Sequence, residues 1–236
     1  MKHFTITFLF FSTFCFSQKI YQFDYLIEYE ITFHQDSIKI NDGTLRKVNK
    51  TKKAYYLTNS KNNEYHARIT EMDSLKNKIS FIDNNGVSAN VTYLKSGLDE
   101  AEFIDIECKN VMRYQSQYKY EIKNYDFIKL NDTVINGKAY DRYKLESVKP
   151  KRTKRKKLGI IYYIIDKETA FHLPILDFTT AYEEWKSGSH LNNGLFFERY
   201  YIDYYGNLGT KERLINYQKI DKKIVIDDEC NYARDK

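Results

Sequence analysis

Proline and glycine are scarce in this chain of 236 residues. It has two prolines, Pro150 and Pro174, and nine glycines, and no run is rich in serine, glycine or proline. Such runs form the flexible linkers that separate domains. No pattern repeats with a fixed period, which disfavours a repeat architecture. We therefore predict a single domain over residues 18–236, a length at which an all-β sandwich or barrel can have one core.

Long apolar runs are also missing, except at the N-terminus. Lys2 supplies a positive charge, residues 4–16 are mostly apolar, and Ser17 is a small residue before Gln18. This stretch is shorter than the roughly 20 residues that span a bilayer. We predict a signal peptide at residues 1–17, with secretion across the inner membrane to the periplasm or outer envelope. A membrane anchor and a lipoprotein modified at Cys15 are the alternatives.

Cysteine is scarce as well, because only Cys108 and Cys230 follow the predicted signal peptide. An even number of cysteines in an oxidising compartment permits a disulfide, and two separate thiols are the alternative. A bridge would close a loop of about 120 residues and stabilise the fold by at most roughly 4 to 5 kcal/mol in the chain-entropy model.

The motifs of common enzyme classes are absent. Gly206 and Gly209 lack the third glycine and the lysine of a phosphate-binding loop, and no serine has the flanking glycines of a nucleophile elbow. The histidines after residue 17 are too scattered to predict a metal site. We expect no catalytic residue, no metal and no cofactor. A secreted hydrolase of glycans or peptides, built from carboxylates on distant strands, is the alternative.

The positive charge is concentrated in one place. The net charge is +6, or +5 without Lys2 of the predicted signal peptide, and residues 149–157 alone carry seven positive charges, so the rest of the mature chain sums to about −2. We interpret this run as a hairpin loop that is either simply solvated or binds anions. The candidate anion-binding residues are Lys151, Arg152, Lys154, Arg155, Lys156 and Lys157. Charge confined to one loop, in a secreted protein, argues against nucleic-acid binding.

Alternation of apolar and polar residues predicts a mainly β fold. In residues 21–33 the odd positions from Phe23 to Phe33 are all apolar or aromatic, which is typical of a strand with one solvated face. Shorter segments with a strand signal are 54–58, 65–72, 79–83, 87–94, 103–108, 118–122, 127–130, 133–135, 139–148, 158–165, 195–204, 211–220 and 221–226. Residues 84–86 and 136–137 predict tight hairpin turns. The pattern indicates a curved antiparallel meander sheet or an open half-barrel.

One segment, residues 174–187, predicts a helix packed on this sheet. Apolar residues from Phe178 to Trp185 recur at helical spacing, and Gly188 stands at the C-cap position. All 22 tyrosines follow the signal peptide, and many lie in predicted strands. A concave sheet lined by tyrosines and covered by this helix would form a groove, with Tyr182 and Trp185 as candidate lining residues. Packing of the same residues in the core is the alternative.

Several segments resemble small secreted β-rich envelope proteins of Bacteroidetes-type bacteria. They are FCFSQ at the end of the signal, IKLNDTVINGKAYDRYKLES, YYIIDKET, and ERYYIDYYGNLGTKERLINYQKI, mainly within residues 127–220. The resemblance is to the GLPGLI family and to LolA-like lipoprotein carriers. The sequence departs from the former after YYIIDKET, where it reads AFHLPILDF instead of the namesake segment. A LolA-like relation implies a curved antiparallel sheet around a helix, a hydrophobic ligand groove and no catalytic residues.

These observations favour a non-enzymatic secreted or periplasmic envelope protein. We expect it to bind a lipid, a lipoprotein or another envelope component in the concave sheet, while the basic loop contacts an anionic membrane surface. A surface module that binds acidic partners is a further alternative. The sequence carries no prediction of the oligomeric state.

Overall fold

A computed structural model describes residues 18–34, 38–39, 45–46, 49–116, 119–188 and 190–234. The strands are β1 (Gln18–His34), β2 (Ile38–Lys39), β3 (Leu45–Arg46), β4 (Asn49–Asn59), β5 (Asn62–Glu71), β6 (Lys76–Asp83), β7 (Val87–Leu94), β8 (Phe103–Ile106), β9 (Val111–Arg113), β10 (Tyr125–Ile135), β11 (Lys138–Ser147), β12 (Ile160–Asp166), β13 (Phe196–Ile202) and β14 (Leu208–Asp227). The α-helices are α1 (Lys95–Glu100), α2 (Pro150–Lys156) and α3 (Thr179–Gly188), and short 3₁₀ helices cover Cys108–Asn110, Lys119–Asn124, Lys167–Thr169, Asp228–Cys230 and Tyr232–Arg234.

The predicted signal peptide at residues 1–17 lies outside the described residues. Within the part of the chain that the structure does describe, none of the helices has both the length and the hydrophobicity needed to cross a bilayer.

Twelve strands form one open, curved sheet. Their order is β10-β11-β12-β13-β14-β1-β4-β5-β6-β7-β9, and β8 joins alongside β14. All neighbours on the main path are antiparallel, whereas β8 runs parallel to β14. The terminal strands β10 and β9 do not pair with each other, so the sheet is not a closed barrel. The prediction of a mainly β, curved antiparallel sheet with a packed helix is confirmed.

The longest strands, β1 and β14, form the centre of the sheet. They pair from Gln18 opposite Asp227 to Phe33 opposite Thr210, and the register shifts between Phe23 and Tyr25. On one side of this irregularity Tyr21 and Phe23 pack in one apolar cluster, and on the other side Tyr25 and the following odd residues pack in another. The alternating stripe seen in the sequence therefore supplies two different cores.

Of three apolar clusters, we call the one that contains Tyr21 and Phe23 the first core and the one on β10–β13 the second core, and the cluster around Tyr25 is separate from both. The first core lies on β4–β7 and is covered by Ile104 and Ile106 of β8, by the end of β14 and by Cys230. A disulfide joins Cys108 to Cys230, whose Cα atoms are 5.4 Å apart, and so links the 3₁₀ helices that follow β8 and β14. The second core lies on β10–β13 and is covered by α3 through Ala181 and Tyr182.

The packed helix begins later than the sequence pattern predicts. Residues 174–178 are not helical, and α3 starts at Thr179. The preceding segment is held to the loop after β4, because Leu173 N donates to Ser60 O at 3.0 Å and Asn63 Nδ2 donates to Pro174 O at 3.1 Å. These long-range contacts override the local helical spacing.

The basic run connects β11 to β12 as expected, but it forms a helix and not a hairpin loop. Pro150 occupies the first turn of α2, where its missing N–H costs nothing, and lysine and arginine favour helix. Lys157 ends the helix in the left-handed region, with φ of 50°.

Three other local predictions differ from the structure. Residues 119–124 form a 3₁₀ helix where a strand was expected over 118–122, and residue 118 lies outside the described residues. The segments 127–130 and 133–135 belong to one strand, β10, with an irregularity between them. Residues 211–226 also lie in one strand, β14. The two predicted turns are present, with positive φ at Gly86, Asn136 and Gly137.

Candidate functional site

The basic helix presents most of its charge to solvent. Among the six candidate residues, Arg152 is half-buried and pairs with Glu121, whose Oε2 lies 2.6 Å from Arg152 Nη2. The others, Lys151, Lys154, Arg155, Lys156 and Lys157, are exposed. Within the described part of the chain, none of these five has an acidic partner. They form a compact group of uncompensated cations.

An aromatic turn lies beside this helix. Lys157 Nζ donates to the Tyr205 hydroxyl and lies 5.0 Å from the centre of its ring. Tyr205 is 65 % exposed, and Tyr204 beside it is also exposed. Asp203 fixes the turn, because its Oδ1 accepts hydrogen bonds from the backbone N–H groups of Tyr205 and Asn207 at 2.8 Å. We call α2, Lys157 and the turn at residues 203–207 the basic face.

A separate cleft of about 1,140 Å³ crosses β4, β5 and β6. Its lining is mostly polar and includes Lys50, Lys52, Arg68, Lys78 and Ser80. The three lysines are exposed, and no described residue forms an ion pair with them. We call this region the polar cleft. Its lining suits a polar ligand better than an acyl chain.

Asp177, which lines the polar cleft, belongs to an ion cluster. Arg199 Nη2 donates to Asp177 Oδ2 at 3.1 Å and to Glu212 Oε2 at 2.5 Å, and Nη1 donates to Asp177 Oδ1. The Tyr56 hydroxyl adds a hydrogen bond to Asp177 Oδ2 at 3.1 Å. Only 11 % of the Arg199 side chain is exposed. The cluster thus joins β4, β13 and β14 to the segment before α3.

This ion cluster is not suited to acid–base catalysis. Burial alone would raise the pKa of Asp177, but the charge and hydrogen bonds of Arg199 outweigh burial and hold that pKa below its usual value. A general acid at neutral pH needs a raised pKa. Burial also raises the pKa values of Tyr29 and Tyr163 nearby, which keeps these phenols protonated. The arrangement is that of a structural clamp.

The two predicted groove residues lie in the second core. Tyr182 is 1 % exposed, and its hydroxyl accepts a hydrogen bond from Lys186 Nζ at 3.3 Å. Trp185 is half-buried against the same cluster. Tyr182 also lines a cavity of about 660 Å³ between α3 and the turn after β6. The aromatic stripe of α3 therefore packs in the second core, and a ligand-groove role for Tyr182 and Trp185 stays a prediction.

A smaller pocket, of about 320 Å³, is more apolar. Leu26, Tyr55, Leu57 and Ile69 line it, and lysines stand at its rim, namely Lys53, Lys95 and Lys222. This volume is near the lower end of the range for small-molecule sites. We call it the apolar pocket.

Two histidines are buried as neutral groups. Burial lowers the pKa of His66 and of His172. The Nδ1–H of His172 donates to the carbonyl of Leu173, so its Nε2 accepts from the Thr58 hydroxyl at 2.9 Å. These contacts are structural.

Sequence reasoning did not find the ion cluster. Its members are Tyr56, Asp177, Arg199 and Glu212, which are successively 121, 22 and 13 positions apart, and no motif links them. The available signal was local: Asp177 is a lone charge between Leu176 and Phe178 in an otherwise apolar stretch.

No protein-family model matches the chain, and no curated protein matches it. Solved structures similar to it include the Pseudomonas aeruginosa MucA/MucB complex, with 6% identity, a TM-score of 0.42, and coverage of 83% of this chain and 51% of that chain. The chain thus spans about half the length of the MucB chain it matches. A putative outer membrane lipoprotein-sorting protein domain from Vibrio parahaemolyticus has 12% identity, a TM-score of 0.31, and coverage of 83% and 85%.

A LolA superfamily protein from Nitrosomonas europaea has 9% identity, a TM-score of 0.31, and coverage of 84% and 86%. The resemblance to LolA-like carriers seen in the sequence therefore recurs among solved structures, whereas the GLPGLI resemblance stays a prediction.

Proposed function

We propose that this chain is a non-enzymatic envelope protein that attaches to an anionic lipid surface through the basic face. The observation that carries the proposal is the group of five exposed cations without acidic partners beside two exposed tyrosines. Cations near an anionic membrane contribute about 1 kcal/mol each. Tyrosine favours the membrane–water interface because its ring is apolar and its hydroxyl is polar.

The shape of the basic face supports this attachment. Gly159, which follows α2, lies so close to β13 that an added Cβ would be 2.3 Å from the carbonyl oxygen of Ile202. The helix and the aromatic turn are therefore held close together, and Lys157 links them through Tyr205. A surface that is already ordered loses little conformational freedom on binding.

Binding to vesicles tests this proposal. We compare vesicles of equal parts phosphatidylcholine and phosphatidylglycerol with vesicles of phosphatidylcholine alone. Changing Lys154, Arg155 and Lys156 to Gln removes about 3 kcal/mol, so affinity for the anionic vesicles should fall about 100-fold. Changing Lys50, Lys52 and Lys78 to Gln in the polar cleft removes the same charge and serves as the matched control.

We expect the control variant to bind like the unmodified protein. Equal weakening in both variants would show that only net charge matters, and the basic face would then have no specific role. Raising the ionic strength should weaken binding, because exposed charges are screened over about 8 to 10 Å.

A second candidate function is transport of a lipid or lipoprotein acyl chain, and the apolar pocket favours it. Leu26, Tyr55 and Ile69 offer apolar contacts, while Lys53, Lys95 and Lys222 surround the opening. Native mass spectrometry with lipid extraction, on protein purified from its own envelope fraction, should reveal a retained amphiphile. Leu26→Glu would place a charge at the pocket and should abolish retention, whereas Leu75→Glu, at an exposed site, should not.

A ligand-free protein would remove the carrier function and leave membrane attachment in place. Binding to an acidic protein or polysaccharide, but not to anionic vesicles, would support the interaction-module alternative instead.

A further inference from the structure

The fold brings together three side chains that the sequence gives no reason to group. Asp126 lies on β10, Glu184 on α3, and His190 follows the end of α3. His190 Nδ1 is 3.5 Å from Asp126 Oδ1 and 3.8 Å from Glu184 Oε1. One potential ligand atom of each residue lies within 4.8 Å of the others. We call these residues the His190 cluster.

The backbone is shaped to place the His190 ring there. A Cβ added to Gly188 would lie 2.5 Å from His190 Cε1 and 2.8 Å from Nε2. Any side chain at position 188 would therefore push the ring away from the end of α3. Glycine at this position allows the imidazole to lie over the last helical turn and face both carboxylates.

Glu184 is the second observation that points to a ligand. Its side chain is only 9 % exposed, and among the described residues its only ion-pair partner is His190, at 3.8 Å. A buried carboxylate is costly unless a partner compensates its charge. Burial, and then the charge of Asp126, raise the pKa of Glu184, while the charge and hydrogen bond of His190 lower it. The cluster thus places a buried carboxylate beside a second carboxylate and an imidazole, an arrangement that a bound cation would stabilise.

We propose that Asp126, Glu184 and His190 bind a divalent transition-metal ion of the zinc class. Zinc takes histidine nitrogen and carboxylate oxygen at about 2.0 to 2.2 Å, so ligands on one tetrahedral ion lie roughly 3.3 Å apart. The two measured separations from Nδ1 exceed this value by a few tenths of an ångström. On binding, side-chain rotations would close that gap and bring the Asp126 and Glu184 oxygens, which lie within 4.8 Å of each other, to the same spacing.

The donor set selects the class of ion. Magnesium and calcium prefer oxygen ligands only, whereas an imidazole favours zinc, copper, nickel or cobalt. About half of the side chains of Asp126 and His190 is exposed, so an ion can enter and keep a water ligand. Three protein ligands from β10 and the end of α3 would tie the helix to the terminal strand of the sheet. The site is distinct from the basic face, the polar cleft and the apolar pocket.

Metal titration of the tag-free, disulfide-intact chain tests the proposal. Calorimetry with zinc chloride near neutral pH should show one ion per chain. Asp126→Asn, Glu184→Gln and His190→Gln should each weaken binding at least tenfold. Glu183→Gln, on the neighbouring position of the same helix, and His34→Gln, at a remote histidine, are the matched controls and should bind like the unmodified chain.

Trp185 gives a second readout, because it is the single tryptophan and adjoins Glu184. Cobalt(II) should quench its fluorescence with the same stoichiometry, and zinc should reverse the quenching by displacement. If circular dichroism shows that Glu184→Gln does not fold, the zinc affinity of Asp126→Asn tests the site instead, because Asp126 is half-exposed. The proposal is overturned if the unmodified chain binds no zinc, or if His190→Gln and Asp126→Asn bind it as tightly as the controls.

Discussion

The two cores of this sheet are closed by different means. The first core is covered by β8 and by the segment after β14, and the Cys108–Cys230 disulfide fastens this cover. The second core is covered by α3, and the segment that leads into α3 is fastened by the Arg199 ion cluster. One cover is fixed by a covalent bond and the other by buried charge. Reduction of the disulfide should therefore loosen the cover of the first core, and loss of the buried charge should loosen the cover of the second core, although both cores lie on one continuous sheet.

Arg199→Met should cause the largest loss in the free energy of unfolding. It leaves Asp177 and Glu212 buried without their cation, which typically costs about 3 to 5 kcal/mol. Urea unfolding followed by Trp185 fluorescence measures the loss at the second core. Arg213→Met is the control, since Arg213 is 50 % exposed and its Nε lies 4.0 Å from Glu198; a surface pair of this kind contributes at most about 1 kcal/mol. Equal losses of stability in the two variants would contradict the interpretation of the ion cluster as a structural clamp.

Removing the disulfide should have the next largest effect. The double change Cys108→Ser and Cys230→Ser should cost about 2 to 4 kcal/mol, because it frees a long loop in the unfolded chain. Amide exchange should accelerate more in β6, β7 and β9 than in β10 to β12. Unmodified protein under reductant should behave alike, and uniform acceleration across the sheet would show that the two covers are not independent. Gel mobility with and without reductant checks that the bond forms in the protein purified from its own cells.

Gly194→Ala should destabilise the second core by about 1 to 3 kcal/mol. Gly194 has φ of +139°, and an added Cβ would lie 2.6 Å from Ile165 Cγ2 and 2.9 Å from the carbonyl oxygen of Asp166. The control is Gly97→Ala in α1, where no atom lies within 4 Å and alanine favours helix. Thermal unfolding should show a lower Tm for the first variant and an unchanged or higher Tm for the second. The reverse order would mean that the backbone at Gly194 tolerates a side chain.

Acid should produce the smallest effect, and it should act through buried histidine. Burial lowers the pKa of His172 in the folded protein, whereas an unfolded histidine takes up a proton near pH 6.5. The unfolded state therefore binds more protons below about pH 6.5, and the free energy of unfolding falls as pH decreases. His172→Gln should reduce this slope between pH 7.5 and pH 5, with the unmodified chain in the same buffers as the reference. An identical slope in the His172 variant would contradict the assignment of this acid-dependent loss of stability to His172.

A second loss of stability should follow at lower pH. Arg199 holds the pKa of Asp177 below its unfolded value of about 3.9, so this contribution is present above that pH and is lost as pH falls through the folded pKa. Arg199→Met should remove this low-pH step.

Local sequence patterns predict most of the strands but not which segments pack over the sheet to cover the two cores. Alternation and turn residues place β5, β6, β7 and β11 to within about three residues, since side-chain period and turn chemistry are local properties. The parallel pairing of β8 with β14 is not local, because Lys223 lies opposite Phe103. The start of α3 depends on contacts with the loop after β4. The basic run differs, because Pro150 in the first turn of α2 is a local helix signal that the hairpin interpretation did not use.

The candidate sites were predicted less well for the same reason. The basic residues were identified because they are consecutive in sequence. Their aromatic neighbour Tyr205 comes from another hairpin, 48 positions away from Lys157. Tyr182 and Trp185 were singled out by helical spacing, which does not distinguish a groove from a core. The ion cluster and the His190 cluster both join separate elements and become visible only in the folded chain.

The pairing of β1 with β14 sets the time at which this protein can fold. Gln18 and Asp227 are 209 positions apart, yet their side chains share a hydrogen bond at the end of the two central strands. Contacts of such high sequence separation form late, because the entropy of closing the loop must be met first. During synthesis, β1 emerges before every other described strand but has to wait for β14 before this central pairing can form. We therefore expect a long-lived unfolded chain whose folding is completed only after β14 has been synthesised.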